Sequence, residues 1–341
     1  MAKIRFAVVG LGHIGKRHSE MIRRNPECEL VAGCDLKDYT DFESLLSKEK
    51  YFTSLDEMLE KNPGIDVVNV CTPNGLHAEH ALRILESGKH VVVEKPMALK
   101  RSDCEKIIHA ALKVQKQVFC VMQNRYSPPS VWLKEIVEKK TIGEVFMVQL
   151  NCYWNRDHRY YVKGSWKGSQ ELDGGTLFTQ FSHWVDLLFW LFGDITDIQA
   201  KFADFNHSDT TEFEDSGMVT FRFVNGGMGC INYSTAVWDK NLESSITLVG
   251  SKGSVKVGGQ YMDKVEYCHI ENYQMPALEE TAPANDYGNY KGSANNHHFT
   301  IQNVVDTISG RKTVTTNALE GLKVVDIIER IYSFRKEDRK S

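Results

Sequence analysis

A lysine and a histidine are the first candidates for chemistry in this sequence. Lys95 lies in the tripeptide Glu94-Lys95-Pro96, and His183 lies within a largely apolar stretch, residues 174–192. Oxidising a secondary alcohol requires a base for the hydroxyl proton, and an imidazole with a pKa near ~6.5 can accept it at neutral pH. A lysine stays mostly protonated unless burial or a nearby positive charge lowers its pKa. We therefore favour His183 as the base and Lys95 as a hydrogen-bond donor to the reacting oxygen, with the reverse assignment also open.

The sequence also contains a glycine-rich turn of the kind that binds dinucleotides. It reads Gly10-Leu11-Gly12-His13-Ile14-Gly15 and follows a predicted strand. In such a turn the first glycine permits the bend, the second lets the backbone approach a diphosphate, and the third permits close packing of helix on sheet. Asp35 ends the next predicted strand, where a carboxylate binds ribose hydroxyls. That carboxylate repels a 2′-phosphate, so the expected cofactor is NAD, although Lys37 could partly offset the repulsion.

Strands and helices alternate along the first third of the chain. Val-rich runs and amphipathic stretches predict strands Ile4–Val9, Leu30–Cys34, Val67–Cys71, His90–Val93 and Val118–Val121, and helices Ile14–Arg24, Leu55–Lys61, Ala78–Ser87 and Arg101–Val114. This alternation indicates βαβ units, and right-handed crossovers then give a doubly wound parallel sheet. We predict an N-terminal Rossmann domain over residues 1–122.

The pattern changes after residue 122. Alternating runs predict strands Val145–Tyr153, Gly217–Phe223, Gly229–Tyr233, Ser245–Leu248 and Ser254–Val257, and two helical patterns follow near residues 295–309 and 317–335. Turn signals between the strands favour a large, open, mostly antiparallel sheet. The prediction is an α/β protein whose second domain, residues 123–341, is α+β, binds substrate and mediates oligomerisation. Its last helix is expected to pack back on the first domain, and Met275–Lys291 to form an irregular loop.

Composition excludes several classes of protein. The 341 residues carry a formal net charge of -4, so the clustered positive charge that binds nucleic acid is missing. Eight cysteines without a C-x-x-C pair indicate reduced, buried thiols in a cytosolic protein. No run of about 18 apolar residues occurs, so no membrane span is expected. His297 and His298 would point about 100° apart on a helix, and no metal is predicted.

Three polar segments follow predicted strands, at the edge where open α/β sheets bind ligands. The first is Cys71-Thr72-Pro73-Asn74 with His77, the second is Glu94-Lys95-Pro96, and the third is Gln123-Asn124-Arg125-Tyr126. Each also has a plain structural interpretation, as a turn, a solvated loop charge or a helix cap.

Two further segments belong to the predicted second domain. Residues 174–192 read as one helix with an apolar face and a polar face that carries Thr176, Thr179, His183 and Asp186. Such a helix suits the wall of an active site, and the alternative is a polar face in solvent. Residues 156–163 combine cationic and aromatic side chains, which could bind the anionic groups of a nucleotide sugar or could form a solvated loop.

Together these motifs resemble the glucose–fructose oxidoreductase, inositol dehydrogenase and MocA family (Gfo/Idh/MocA) over essentially the whole chain. The resemblance rests on the glycine turn, Thr72–Asn74 with His77, Glu94-Lys95-Pro96, Trp166-Lys167-Gly168, Gly174-Gly175, His183-x-x-Asp186 and the closing helix near Tyr332. It implies that Lys95 lies near the nicotinamide and the reacting carbon of a sugar.

A narrower resemblance rests on Thr179–His183 and Asn296–His298. These segments are similar to dehydrogenases that oxidise a UDP-N-acetyl-hexosaminuronate at its 3-hydroxyl for surface-polysaccharide (lipopolysaccharide) biosynthesis. One position departs from the family, because many members have a carboxylate four residues before the helix histidine and this chain has Thr179. The base assignment is therefore open, and Asp186 could orient His183 instead.

The site is expected to contain three groups of residues. The catalytic residues are Lys95 and His183. The cofactor residues are Gly10, Gly12, His13, Ile14, Gly15, Asp35, Thr72, Pro73, Asn74, His77, Glu94, Lys95, Gln123, Trp166 and Lys167. The substrate residues are Lys95, Arg125, Tyr126, Arg156, Tyr161, Lys163, Thr179, Gln180, His183, Asn296 and His297.

These residues predict an NAD-dependent sugar dehydrogenase with a nucleotide-sugar substrate. The expected assembly is a homodimer or homotetramer in the cytoplasm. Alternatives are a dehydrogenase of a free sugar or inositol, an NAD-dependent glycosidase of the same fold, and a regulator that senses NAD without turnover.

Overall fold

A computed structural model describes residues 2–286, 288 and 290–335. The chain divides into two compact units. The first unit comprises the residues up to Met122 together with His297–Val325. The second comprises Gln123–Asn296 and the residues from Asp326 onward. The domain expected over residues 123–341 is therefore interrupted by a segment that belongs to the first unit.

The first unit contains a six-stranded sheet, and the prediction of a doubly wound parallel sheet is confirmed. The strands are β1 Ile4–Val9, β2 Cys28–Cys34, β3 Tyr51–Phe52, β4 Val67–Val70, β5 His90–Val93 and β6 Val118–Cys120. Their spatial order is β3-β2-β1-β4-β5-β6, and all neighbouring pairs are parallel. The order reverses between β1 and β4, which is the edge position where such sheets bind ligands.

The helices of this unit are α1 His13–Arg24, α2 Leu55–Lys61, α3 His77–Glu86, α4 Arg101–Val114 and α8 His297–Ile308. Helix α8 belongs here because Ile301, Val304 and Val305 are buried in the same hydrophobic cluster as Phe6 of β1 and Ile22 of α1. This burial is the physical reason for the interruption of the second unit. Helix α9, Ala318–Tyr332, has its first half in the first unit and its second half in the second.

The second unit contains a seven-stranded sheet that is antiparallel except for one pair. Its strands are β7 Val145–Tyr153, β8 Ile195–Ala203, β9 Ser216–Phe223, β10 Met228–Ser234, β11 Glu243–Gly250, β12 Gly253–Gly258 and β13 Lys264–Ile270. Their order is β13-β12-β11-β7-β10-β9-β8, and only β7 and β10 run parallel. The expected open, mostly antiparallel sheet is confirmed.

Smaller elements complete this unit. They are helices α5 Pro128–Glu138, α6 Thr176–Thr179 and α7 Ser182–Phe192, and strands β14 Ala284–Asp286 and β15 Lys291–Ala294. Strand β14 lies in the stretch expected to be an irregular loop. Along the whole described chain, no helix is both long enough and apolar enough to cross a membrane.

The single helix expected over residues 174–192 is wrong, because the chain breaks at Phe181. The backbone N–H groups of Gln180 and Phe181 both donate to the Thr176 carbonyl, which ends α6 after one turn. Phe181 has φ -120° and its ring packs against Trp154 and Tyr233, so this burial fixes the break. Thr179 and His183 therefore lie on different helices.

Candidate functional site

The glycine-rich turn joins β1 to α1 and has the shape that a diphosphate needs. Gly10 has φ +82°, and a Cβ there would lie 2.7 Å from the backbone of Cys71 and Thr72. A Cβ on Gly15 would lie 1.8 Å from the Gly10 oxygen, whereas a Cβ on Gly12 would meet nothing within 4 Å. The turn is thus closed at its first and third glycines and open at the second. Gly12 also begins the twelve-residue helix α1, whose N-terminal amides favour an anion.

Asp35 follows β2 and is tied to this turn. Its Oδ2 accepts from the backbone N–H of Leu11 over 2.6 Å, and its Oδ1 accepts from the backbone N–H of Lys37 over 3.0 Å. The Tyr51 hydroxyl donates to the Asp35 carbonyl over 2.8 Å. These contacts fix a carboxylate beside the dinucleotide turn, where ribose hydroxyls are bound in this fold. The turn and Asp35 together fit NAD.

His77 links two of the predicted polar segments. It is fully buried at the start of α3, with Nδ1 2.7 Å from the Pro96 carbonyl and Nε2 2.8 Å from the Thr72 carbonyl. Burial lowers the pKa of His77. The side chain therefore connects the segment after β4 to the segment after β5, next to Lys95.

Glu94 lies in a buried polar cluster that sequence analysis missed. Its Oε1 is 2.9 Å from Nε2 of His18 and 3.6 Å from Nε2 of His297, and its Oε2 accepts from the Lys95 N–H over 3.2 Å. Burial is the largest influence on Glu94 and opposes its ionisation, but the His18 hydrogen bond and the electrostatic influence of neighbouring groups, Lys95 among them, together outweigh it and lower the pKa of Glu94 to about 2. Burial lowers the pKa of His297 to about 3, so its ring is neutral. No motif marks His18, because its contact with Glu94 arises only in the folded chain.

This placement changes the interpretation of His297. It was expected to contact substrate, but it is 1 % exposed and packs edge-on against the His18 ring. One ligand atom from each of His18, Glu94 and His297 lies within 4.8 Å of the others, a grouping that the adjacent pair His297-His298 did not suggest.

In the second unit, His183 lies in the first turn of α7 and is 3 % exposed. Asp186, one turn later, is the charge partner of Arg125. The guanidinium donates from Nε to Oδ2 over 2.8 Å and from Nη2 to Oδ1 over 2.6 Å, and both side chains are buried. Arg125, expected to bind substrate, is thus engaged by a carboxylate within its own unit. A bidentate pair of this kind stabilises the orientation of both groups.

A carboxylate contacts the threonine that stands at position 179. The Thr179 hydroxyl donates to the carboxylate of Asp173, which is completely buried. The other Asp173 oxygen accepts from the Gly168 N–H over 2.9 Å. Asp173 directly precedes Gly174-Gly175, but nothing in its spacing indicated this contact with Thr179.

The cationic and aromatic segment divides into a buried part and an exposed part. Arg156, Tyr160 and Tyr161 are buried, whereas Lys163 is exposed. Lys167, expected to bind the cofactor, has its Nζ 3.9 Å from the centre of the Tyr160 ring, within the second unit. Trp166 and Tyr126 are half-buried.

Two other expected site residues are buried in the second unit. Gln123 directs Nε2 to the Ser293 hydroxyl at 3.5 Å, and Asn296 donates from Nδ2 to the Ser127 hydroxyl over 3.1 Å. Gln180 is also buried, with its side-chain oxygen bound by Arg156.

Comparison with known proteins agrees with this architecture. The family model described as "Oxidoreductase family, NAD-binding Rossmann fold" matches residues 4–122, and the model of the GFO/IDH/MocA C-terminal domain matches residues 131–256. The WlbA dehydrogenase from Chromobacterium violaceum, solved with NADH and UDP-GlcNAcA, is 32% identical with a TM-score of 0.88. The match covers 99% of this chain and 95% of that one.

The chain belongs to the Gfo/Idh/MocA family.

Two further relatives extend the comparison. The WlbA dehydrogenase from Bordetella pertussis, also solved with NADH and UDP-GlcNAcA, is 32% identical with a TM-score of 0.85, covering 98% of this chain and 97% of that one. Myo-inositol 2-dehydrogenase from Thermotoga maritima is 27% identical over 264 residues, 74% of each chain. This Gfo/Idh/MocA protein is an NAD-dependent oxidoreductase that acts on CH–OH groups, which confirms the expected enzyme class and cofactor. When bound, NAD supplies the acceptor for the hydride that leaves the alcohol carbon.

Proposed function

We propose that this enzyme oxidises the 3-hydroxyl of a UDP-N-acetyl-hexosaminuronate to the 3-keto sugar, with hydride transfer to NAD. The observation that carries this proposal is the similarity, over almost the full length of both chains, to two WlbA dehydrogenases solved with UDP-GlcNAcA. The segments Thr179–His183 and Asn296–His298 support the same substrate class.

In the proposed reaction, the C3–H bond breaks as hydride leaves and the hydroxyl proton passes to a base on the enzyme. His183 takes that proton, because a buried imidazole can change charge at neutral pH more easily than an ammonium group. Lys95 donates a hydrogen bond to the reacting oxygen and stabilises the negative charge that develops there. The reverse assignment, with Lys95 as the base, predicts a different pattern of mutant activities.

The experiment that tests this function is a substrate panel. The purified protein is incubated with NAD and, separately, with UDP-GlcNAcA, UDP-GlcNAc, D-glucose and myo-inositol, and absorbance at 340 nm is followed. We expect NADH formation with UDP-GlcNAcA at the highest kcat/KM, with a product that mass spectrometry shows to be lighter by two hydrogens. Turnover of myo-inositol alone would favour the free-polyol dehydrogenase instead.

Two other outcomes would each identify another class. Release of UDP or free sugar without lasting NADH would indicate a glycosidase that oxidises its substrate only transiently. NAD binding without turnover of any sugar would indicate a sensor.

We also propose that the enzyme is a homo-oligomer, a dimer or a tetramer, joined through the open face of its seven-stranded sheet. Met147 on β7 pairs with Met228 on β10 and Val249 on β11, and these three side chains are 48%, 45% and 39% exposed. Met218 and Tyr267 add exposed apolar surface on β9 and β13. An apolar sheet face of this kind is usually covered by a partner.

A further inference from the structure

We propose that Lys167, which lies against the rings of Tyr160 and Tyr290 that buried Arg156 also contacts, binds the carboxylate of the sugar substrate. This inference rests on the proposed function and assigns the groups that select the acidic sugar. It also moves Lys167 from the expected cofactor residues to the substrate residues.

The first observation is a buried positive charge without an anionic partner. Arg156 is 2 % exposed and donates to the Gln180 side-chain oxygen over 2.8 Å, to the Asn155 and Lys291 carbonyls over 2.6 and 3.0 Å, and to the Asn241 side-chain oxygen over 3.3 Å. All four acceptors are neutral. A buried cation is costly unless a negative charge compensates it.

The second observation is that another cation shares the same rings. Lys167 Nζ lies 3.9 Å from the ring centre of Tyr160 and 4.8 Å from that of Tyr290, and it reaches the Tyr290 hydroxyl at 3.4 Å. The Arg156 guanidinium lies 5.2 Å from each of the same two ring centres. Ring faces attract cations but carry no net charge. The two rings therefore do not themselves neutralise the two like charges that lie against them.

The charges around this pair leave room for an anion. Among the described residues, no ion pair involves Arg156 or Lys167. Asp173 is the nearby carboxylate that acts on Lys167, and its oxygens are engaged by Thr179 and Gly168. Burial raises the pKa of both tyrosines, so their phenols are neutral.

The protonation of Lys167 responds to this environment. Burial, followed by repulsion from Arg156, lowers the pKa of Lys167 to about 8. A bound carboxylate would raise that pKa again, because an opposite charge favours the ammonium form. Ligand binding near pH 8 should therefore be accompanied by uptake of a proton. Lys167 is half-buried, whereas Arg156 is buried.

The pair lies in the same unit as the proposed base. Arg156 binds the side chain of Gln180, which lies three residues before His183. In a UDP-hexosaminuronate the carboxylate belongs to the same ring as the reacting 3-hydroxyl, and calorimetry distinguishes it from the diphosphate. The pair Arg156–Lys167 is then a recognition site for a uronate.

The test compares Lys167→Met, Lys167→Arg and the control Lys252→Met, an exposed lysine in the same unit. Charge-assisted hydrogen bonds contribute enough that Lys167→Met should lower kcat/KM for UDP-GlcNAcA by roughly 10- to 100-fold. The value for UDP-GlcNAc should change by less than about 3-fold, the ratio expected when no charge partner is lost. Lys167→Arg should keep most of the activity, and Lys252→Met all of it.

Calorimetry separates this inference from the proposed function. UDP-GlcNAcA, UDP-GlcNAc and UDP are each titrated into the enzyme with NADH present, so that turnover is not needed. We expect Lys167→Met to weaken UDP-GlcNAcA binding alone, to leave NAD affinity unchanged, and to reduce proton uptake measured at pH 8 in buffers of different ionisation enthalpy. Equal weakening of all three ligands would assign the contact to the diphosphate, and loss of NAD affinity would return Lys167 to the cofactor. Either result, or no binding of UDP-GlcNAcA to the unmutated enzyme, overturns the proposal.

Discussion

His18 donates its Nε2 hydrogen to the carboxylate of Glu94 over 2.9 Å, in the interior of the first unit. On the other side of the ring, the Asn69 side-chain nitrogen lies 2.8 Å from His18 Nδ1 and holds the imidazole in place. The imidazole thus stabilises a buried negative charge. Glu94 directly precedes Lys95, so the backbone of the candidate catalytic lysine is attached to this pair.

Loss of the His18 hydrogen bond should make the fold more sensitive to acid. The pKa of Glu94 is lowered from 4.5 to about 2, so its ionised form stabilises the fold above pH 4.5. That contribution is lost as the pH falls from 4.5 through 2. His18→Leu should raise the pKa of Glu94, move this loss to higher pH, and reduce the free energy of unfolding at pH 7 by about 3 kcal/mol.

Urea unfolding at pH 3 to 7 measures this effect. His18→Gln, which keeps a donor, should recover part of the stability. Glu105→Gln, on an exposed residue of α4, is the control and should follow the unmutated profile. If the free energy of unfolding of His18→Leu changed with pH in parallel with that of the unmutated protein, the assignment would be contradicted.

Asp35 should determine the preference for NAD over NADP. Its carboxylate is fixed beside the glycine turn by the Leu11 and Lys37 amides, and it would repel a 2′-phosphate. Asp35→Ala should weaken NAD binding by about tenfold, consistent with loss of one charge-assisted hydrogen bond. It should also reduce the difference between the affinities for NAD and NADP. Calorimetric titration of both cofactors measures this, with exposed Glu43→Gln as control. Tighter NADP than NAD binding by the unmutated protein would refute the prediction.

His183 and Lys95 should act as a unit in the chemical step. His183→Asn removes the proposed base and should lower kcat by about 10²–10⁴-fold with little change in NAD affinity. Lys95→Ala should lower kcat by a comparable factor. The double variant should lose much less kcat than the product of the two single losses. Steady-state and single-turnover kinetics measure these values. Near-normal turnover by His183→Asn with an inactive Lys95→Ala would identify the lysine as the base, and normal turnover by both would exclude both roles.

Sedimentation velocity should detect a species heavier than the 38.8 kDa chain at micromolar concentration. The exposed pair Met147 and Met228 lies on neighbouring strands of the open sheet face. Met147→Lys combined with Met228→Lys should shift the population toward the monomer, because buried unpaired charges destabilise an interface. Exposed Lys252→Met should leave the assembly unchanged. A protein that sediments only as a monomer would rule out the oligomer.

The local sequence predicted those strands and turns for which a single local pattern was strong. The Val-rich runs gave five strands of the first sheet, but β3 has only two residues, Tyr51 and Phe52, and is too short for any periodic pattern. The glycine turn and Asp35 were predictable because each residue type is required by backbone geometry or by charge. The break at Phe181 was missed, since its cause is packing against Trp154 and Tyr233, which are distant in sequence.

The same limit applies to the side chains of the candidate site. Asp186 looked available to His183 from its spacing, and the position of Arg125, which only the fold provides, makes Asp186 the charge partner of that arginine. Asp173 and His18 belong to no motif, and their contacts with Thr179 and Glu94 depend on tertiary structure. Residue types therefore indicate what chemistry is available, whereas the tertiary packing determines which side chains become hydrogen-bond or charge partners.

The burial of α8 in the first unit has a consequence for how the protein is made. Ile301, Val304 and Val305 complete a hydrophobic cluster that otherwise consists mainly of residues before Val121. Domains near the N-terminus usually fold as the ribosome delivers them. Here the dinucleotide-binding core stays incomplete until almost the whole chain has been synthesised, and contacts of such long sequence separation slow folding. The apolar surface that α8 covers is exposed during that interval, so the nascent chain is the form of this protein most in need of a chaperone.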